Sequence, residues 1–165
     1  GGLYRDMMIH DFDMARFLLG EEPVVIHAVG SVLVDPEIGK AGDVDTAMVM
    51  LRTASGKLCQ ISCSRRAAYG YAQRFEVLGS KGMLQCGNLR PTEVMQSDAA
   101  SVRADKPEHF FLQRYREAYR LELVHFFECL QSGAKFRTTI DDGVAAQKLA
   151  DAAAQSLASA QVISL

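Results

Sequence analysis

What the sequence is short of narrows the possibilities first. No apolar run reaches the roughly 18 residues that span a bilayer as a helix, so a membrane-spanning segment is not expected. Neither sign of charge dominates: 18 Lys and Arg face 20 Asp and Glu, a formal net charge of −2. That leaves no basic footprint for nucleic acid. No G-x-G-x-x-G follows a strand, so the phosphate-cradling turn of a dinucleotide fold is missing. No H-E-x-x-H is present to hold zinc on a helix. Cysteine is scarce, with four at positions 59, 63, 86 and 129. Cys59 and Cys63 fall in one expected strand, where four residues span about 13 Å, too far for a disulfide. Reduced, buried thiols in a cytoplasmic protein are the expectation.

What is present is ordinary globular material, 48% hydrophobic and 23% charged in 165 residues, enough to bury a core. Residues 5–20 carry helical periodicity, with Met8, Ile9, Phe12, Ala15 and Leu19 on one face and Gly20 placed to end it. A β-branched run at 23–34 predicts a long strand, and DPEIGKAGD after it a loop. Two hairpins follow, VDTAMVMLRT with KLCQISCSRR across ASG, then QRFEVLG with GMLQCG across SK. Both faces of AMVMLR are largely apolar, which predicts a strand covered on both sides.

Residues 88–107 read as an irregular excursion with an edge strand at 92–97. From 109 the period turns helical, with Tyr115, Tyr119, Leu123, Phe126 and Leu130 on one face, and SG at 132–133 ends it. Asp141 is the expected cap of an alanine-rich helix over 142–160. Strands first and helices after predict one α+β domain, an open, mostly antiparallel sheet with helices on one face. Its other, apolar face predicts a homo-oligomer formed through the sheet.

The chemistry concentrates at the start, in GGLYRDMMIHDFD. Helical spacing puts Asp6, His10 and Asp13 on one stripe, with Asp11 about a quarter turn away. An imidazole moves protons near neutral pH. A carboxylate four residues earlier can bind a substrate hydroxyl, and a second can orient the ring. Alcohol oxidation needs such a set, a base for the hydroxyl proton while hydride leaves carbon. The plainer alternatives are a helix cap and a surface ion pair, or two ligands of an incomplete metal site. In SRRAAYGYAQR, Tyr69 and Tyr71 stand where one hairpin leads to the next; a hydroxyl there can bind a polyol, or both rings can simply pack on a turn.

GGLYRDMMIHDFDMARFLLGEEP resembles the GG-x-x-x-D-x-x-x-H-x-x-D segment of the oxidoreductase family that includes glucose–fructose oxidoreductase and myo-inositol dehydrogenase. GSVLVDPEIGKAGDVDTAMVMLRTASG, SRRAAYGYAQRFEVLGSKGML and FFLQRYREAYRLELVHFF are similar to its inositol dehydrogenase branch, and the likeness runs over nearly the whole chain. The resemblance implies a C-terminal α+β domain beside a Rossmann domain that binds NAD or NADP. It implies that Asp6 contacts substrate, that His10 accepts the proton, and that Tyr69, with Tyr71 competing, binds a substrate hydroxyl. A ring-orienting role for Asp13 is inferred from spacing alone. The substrate expected is a cyclitol or sugar, with no nucleic acid, membrane or metal involved. The resemblance further implies that the domain's first strand and helix precede Gly1. The chain is therefore expected to be truncated on that side and inactive alone. A non-catalytic dimerisation module and a metal-binding hydrolase are the rival expectations.

Overall fold

A computed structural model describes all 165 residues. A wide π-helical turn at Leu3–Met7 leads into α1 (Met8–Leu19), followed by β1 (Pro23–Ser31), α2 (Pro36–Lys40), β2 (Thr46–Thr53) and β3 (Leu58–Ser64). Then come β4 (Phe75–Gly79), β5 (Gly82–Cys86), β6 (Met95–Ser97) and β7 (Val102–Ala104). The chain ends with α3 (Phe111–Arg114), α4 (Arg116–Ser132), α5 (Ile140–Ser159) and β8 (Ile163–Ser164). These elements fall into two compact units, one of residues 1–66 and 138–165, the other of residues 67–137.

The first unit is an antiparallel sheet of order β3-β2-β1-β8 with helices on one face, the α+β arrangement expected. Strand periodicity explains which face is covered. In β2, Ala47, Val49 and Leu51 are buried while Met48 and Met50 between them are exposed. The inward residues meet Met8 and Phe12 of α1 and Leu149, Ala150 and Ala153 of α5 in one core. Small alanines on α5 let the helix lie close to the strands. Beyond its short pairing with β8, β1 is finished by a side chain: Ser156 on α5 accepts the Ala28 N–H at 3.0 Å and donates to the Gln161 carbonyl at 2.5 Å.

Three expectations are corrected here. The first strand stops at Ser31 rather than 34, because the buried Asp45 carboxylate draws the N–H groups of Leu33, Val34 and Asp35 at 2.8–3.0 Å and bends the chain out of the sheet. DPEIGKAGD holds a short helix, α2, with Asp35 as N-cap to the Glu37 N–H and Pro36 at its first position. The last helix begins at Ile140 under a capping box of Thr139 and Asp142, so Thr139 replaces Asp141 as the cap. The outward face of β2 is left exposed by this chain, with Met50 62% exposed.

The second unit is two separate hairpins, β4–β5 and β6–β7, with α3 and α4. The edge strand expected at 92–97 shortens to β6 and finds a partner in β7. The long helix expected from 109 is broken at Tyr115, which joins α3 to α4. Cys129 is the one buried residue in this unit. No helix of either unit is long and apolar enough to cross a membrane.

Candidate active site

Met8, Phe12 and Ala15 fix the orientation of α1, since all three are buried against the sheet. Asp6 and His10, on successive turns, are both exposed. Asp6 sits in the π-helical turn, where Met8 donates its N–H five residues back to the Leu3 carbonyl and Asp6 donates its own to Gly2 at 2.9 Å. Such wide turns are rare and often mark functional positions. The regular helix predicted from residue 5 is thus regular only from Met8.

This turn is held from three sides. Leu3 is fully buried, and Tyr4 is buried with its hydroxyl donating to the Val29 carbonyl at 3.3 Å. Burial, then the nearby Asp43 carboxylate, pushes the Tyr4 hydroxyl up to about 12. Gly30 makes that contact possible, because a Cβ there would stand 3.2 Å from the Tyr4 oxygen and 3.0 Å from Val44. Asp43 takes the Leu3 N–H on both carboxylate oxygens at 3.1 Å and the Arg65 guanidinium at 3.1 Å. Burial works to raise the Asp43 carboxyl, but these donors leave it below the usual carboxylate range.

Asp13 lies on α1 about one turn beyond His10. Its carboxylate is bonded to Arg16 at 2.9 Å, a partner that competes with any orienting bond to His10. Arg16 is nearly buried and gathers Glu22 and Asp142 as well, which ties the end of α1 to the start of α5. Asp11, partly buried, acts on Cys59 and Cys63. Burial, then Asp11, pushes the Cys63 thiol up to about 12, so neither thiol of β3 is a reactive one. All four cysteines are free.

Tyr69 and Tyr71 belong to the second unit. The Tyr69 hydroxyl accepts from Arg74 at 3.3 Å and its side chain is half exposed. Tyr71 is more enclosed: its N–H donates to the Glu108 carbonyl at 2.8 Å and its ring packs edge-on against Tyr115. Gly70 between them has φ +132, and a Cβ there would lie 2.7 Å from the Pro107 carbonyl oxygen. Only glycine lets the two tyrosines take these places.

An exposed imidazole one turn beyond an exposed carboxylate can hold a hydroxyl and remove its proton. Nowhere do three or more His, Cys, Asp or Glu side chains gather to hold a metal ion. A family model described as the GFO/IDH/MocA C-terminal domain matches residues 1–85, more than half of the chain. The chain belongs to the GFO/IDH/MocA family. It is 50% identical over its whole length to an inositol 2-dehydrogenase of Rhizobium meliloti, of which it covers 50%. The crystal structure of a myo-inositol dehydrogenase from Corynebacterium glutamicum superposes with a TM-score of 0.95 at 42% identity, over all of this chain and 50% of the other. A scyllo-inositol dehydrogenase from Lactobacillus casei, with NAD(H) and scyllo-inositol bound, gives 0.91 at 25% identity over 99% of this chain and 48% of the other. The chain therefore spans about half the length of the relatives it matches.

Two residues of this GFO/IDH/MocA domain were not legible as site-building. Asp43 and Asp45 sit in a stretch, GDVDT, that reads as turn chemistry, and both turn out to hold backbone across gaps of 10–40 residues. Their alternation on either side of Val44, next to a strand start, was the available signal. A depression lined by Gly2, Leu3, Asp43, Ala154 and Leu157 lies beside the wide turn and includes neither Asp6 nor His10.

Proposed function

We propose that this chain is the substrate side of an NAD- or NADP-dependent dehydrogenase that oxidises a ring secondary alcohol of a cyclitol or sugar, inositol being the class named by its relatives. The observation that carries the reading is the exposed Asp6–His10 pair on a helix whose opposite face is locked into the core. Asp6 accepts a hydrogen bond from a substrate hydroxyl, and His10 takes the proton of the reacting one. Tyr69 is favoured over Tyr71 as a further hydroxyl contact, because Arg74 donates to its oxygen and leaves the phenolic O–H free to donate.

A nicotinamide dinucleotide supplies the hydride acceptor. The residues here do not fit its diphosphate: every strand pairing is antiparallel, and no Gly-rich turn runs from a strand into a helix. The dinucleotide is accordingly assigned to residues outside this chain.

A second reading, an assembly module, is favoured by one observation. Val29, Met48, Met50 and Leu58 are all exposed on the outward sheet face, an apolar surface suited to a second copy of the chain. The two roles are compatible, and activity separates them. In the complete dehydrogenase, His10→Ala should lower kcat by roughly 10²-fold or more, while subunit assembly measured by sedimentation is unchanged. Turnover at the wild-type rate would leave only the assembly role.

A further inference from the structure

The Asp6–His10 pair is built from two pieces with separate supports. His10 rides on α1, held by Met8, Phe12 and Ala15 in the core and by the Arg16 cluster at its far end. Asp6 rides on the π-helical turn, whose first N–H groups have no partner within the helix. One of them, the Leu3 N–H, goes to both oxygens of Asp43, forty residues on in the chain. Asp43 is itself clasped by Arg65, at the end of β3, with both side chains only about a quarter exposed. Arg65 is further fixed through its own N–H, which donates to the Asp45 carbonyl at 2.9 Å. Gly2, just before the turn, adopts φ +91, and a Cβ there would press to 3.2 Å on the Asp43 oxygen. The chain is thus shaped to admit the Asp43 carboxylate against the start of the turn.

We propose that Asp43 is a positioning residue of the dehydrogenase site: clasped between Leu3 and Arg65, it holds the wide turn open and so sets where the Asp6 carboxylate stands relative to His10. This rests on the reading of Asp6 and His10 given above. A wide turn and a regular α-turn point the same side chain in different directions. Release of the Leu3 N–H lets the turn fray or tighten, which moves Asp6 while α1 keeps His10 in place. Asp43 acts through Asp6 and touches no reacting atom.

A double-mutant cycle in the complete dehydrogenase tests this. Asp43→Asn should lower kcat/KM by about 10- to 100-fold, the scale of a misplaced contact. In an Asp6→Asn background the same change should have almost no further effect, because the group it positions is gone. Asp43→Glu, which keeps a carboxylate for the Leu3 N–H and Arg65, should recover most of what Asp43→Asn loses, and no recovery would count against the positioning role. Multiplicative losses in the double variant, or an Asp43→Asn enzyme equal to wild type, would overturn the proposal. Should Asp43→Asn fail to fold, Arg65→Gln loosens the same carboxylate from its other side and must show the same coupling to Asp6→Asn; independence there is equally fatal. Wild-type turnover by His10→Ala would instead remove the site reading itself, so the two failures are distinguishable.

Discussion

The two units are built from similarly apolar sequence and bury it very differently. In residues 1–66 and 138–165, a four-stranded sheet offers one broad face, and two helices of complementary periodicity close over it. In residues 67–137, Leu121, Leu123, Val124, Phe126, Phe127 and Leu130 of α4 all stay substantially exposed, as do Leu78 and Leu84 of the β4–β5 hairpin. Hydrophobic residues alone do not make a core. Two-stranded hairpins are marginal by themselves and give a helix too narrow a surface to cover. The difference bears on function as well. Asp6 and His10 stand on the well-buried unit, whereas Tyr69 and Tyr71 stand on the one with few buried contacts, from which mobile binding segments are usually drawn.

The contrast breaks most sharply at Phe12, which is fully buried beneath the Asp6–His10 face. Phe12→Ala should cost about 3–5 kcal/mol, read as a lowered urea midpoint of the first unit. A loss below about 1 kcal/mol would mean this core is far looser than its burial indicates.

Acid is the second lever, and it too acts on the first unit. Burial works to raise the Asp45 carboxyl, yet three backbone N–H groups and the Thr46 hydroxyl bring it down to about 2. A carboxyl whose folded value lies below its unfolded value near 3.9 stabilises fully above about pH 4. That contribution disappears as pH falls from there toward 2. Thermal unfolding between pH 5 and pH 2.5 should therefore show a loss of stability that Asp45→Asn largely flattens. An unchanged slope in that variant would assign the acid sensitivity to other carboxylates.

The smallest effect is expected at Leu78, 82% exposed on the second unit. Leu78→Ala should change stability by no more than about 0.5 kcal/mol. A large loss would show that this surface is covered in the assembled protein, and would erase the distinction between the units.

Much of this was legible from the residues, for reasons that also explain what was not. Strong local signals held. Both tight hairpins formed, and Gly20 ends α1 in the left-handed conformation with its N–H on Arg16. The exposed placement of Asp6 and His10 followed from the apolar periodicity of Met8, Phe12 and Ala15. Long-range polar contacts carried the errors. Asp45 ends β1 from a position 14 residues past it, and Asp142, the box partner of Thr139, also meets Arg16 of α1. None of these has a period. The apolar face of α4 was correct as a pattern, but periodicity reports which side of a helix is greasy and not whether anything covers it.

Ser156 carries one last implication. By seating its hydroxyl on the Ala28 N–H and the Gln161 carbonyl together, α5 serves as a surrogate for the strand that would otherwise lie beside the middle of β1. A foreign peptide approaching that margin meets a donor already engaged and a helix in its path. One donor on that margin is thereby closed to an incoming strand by a single alcohol group.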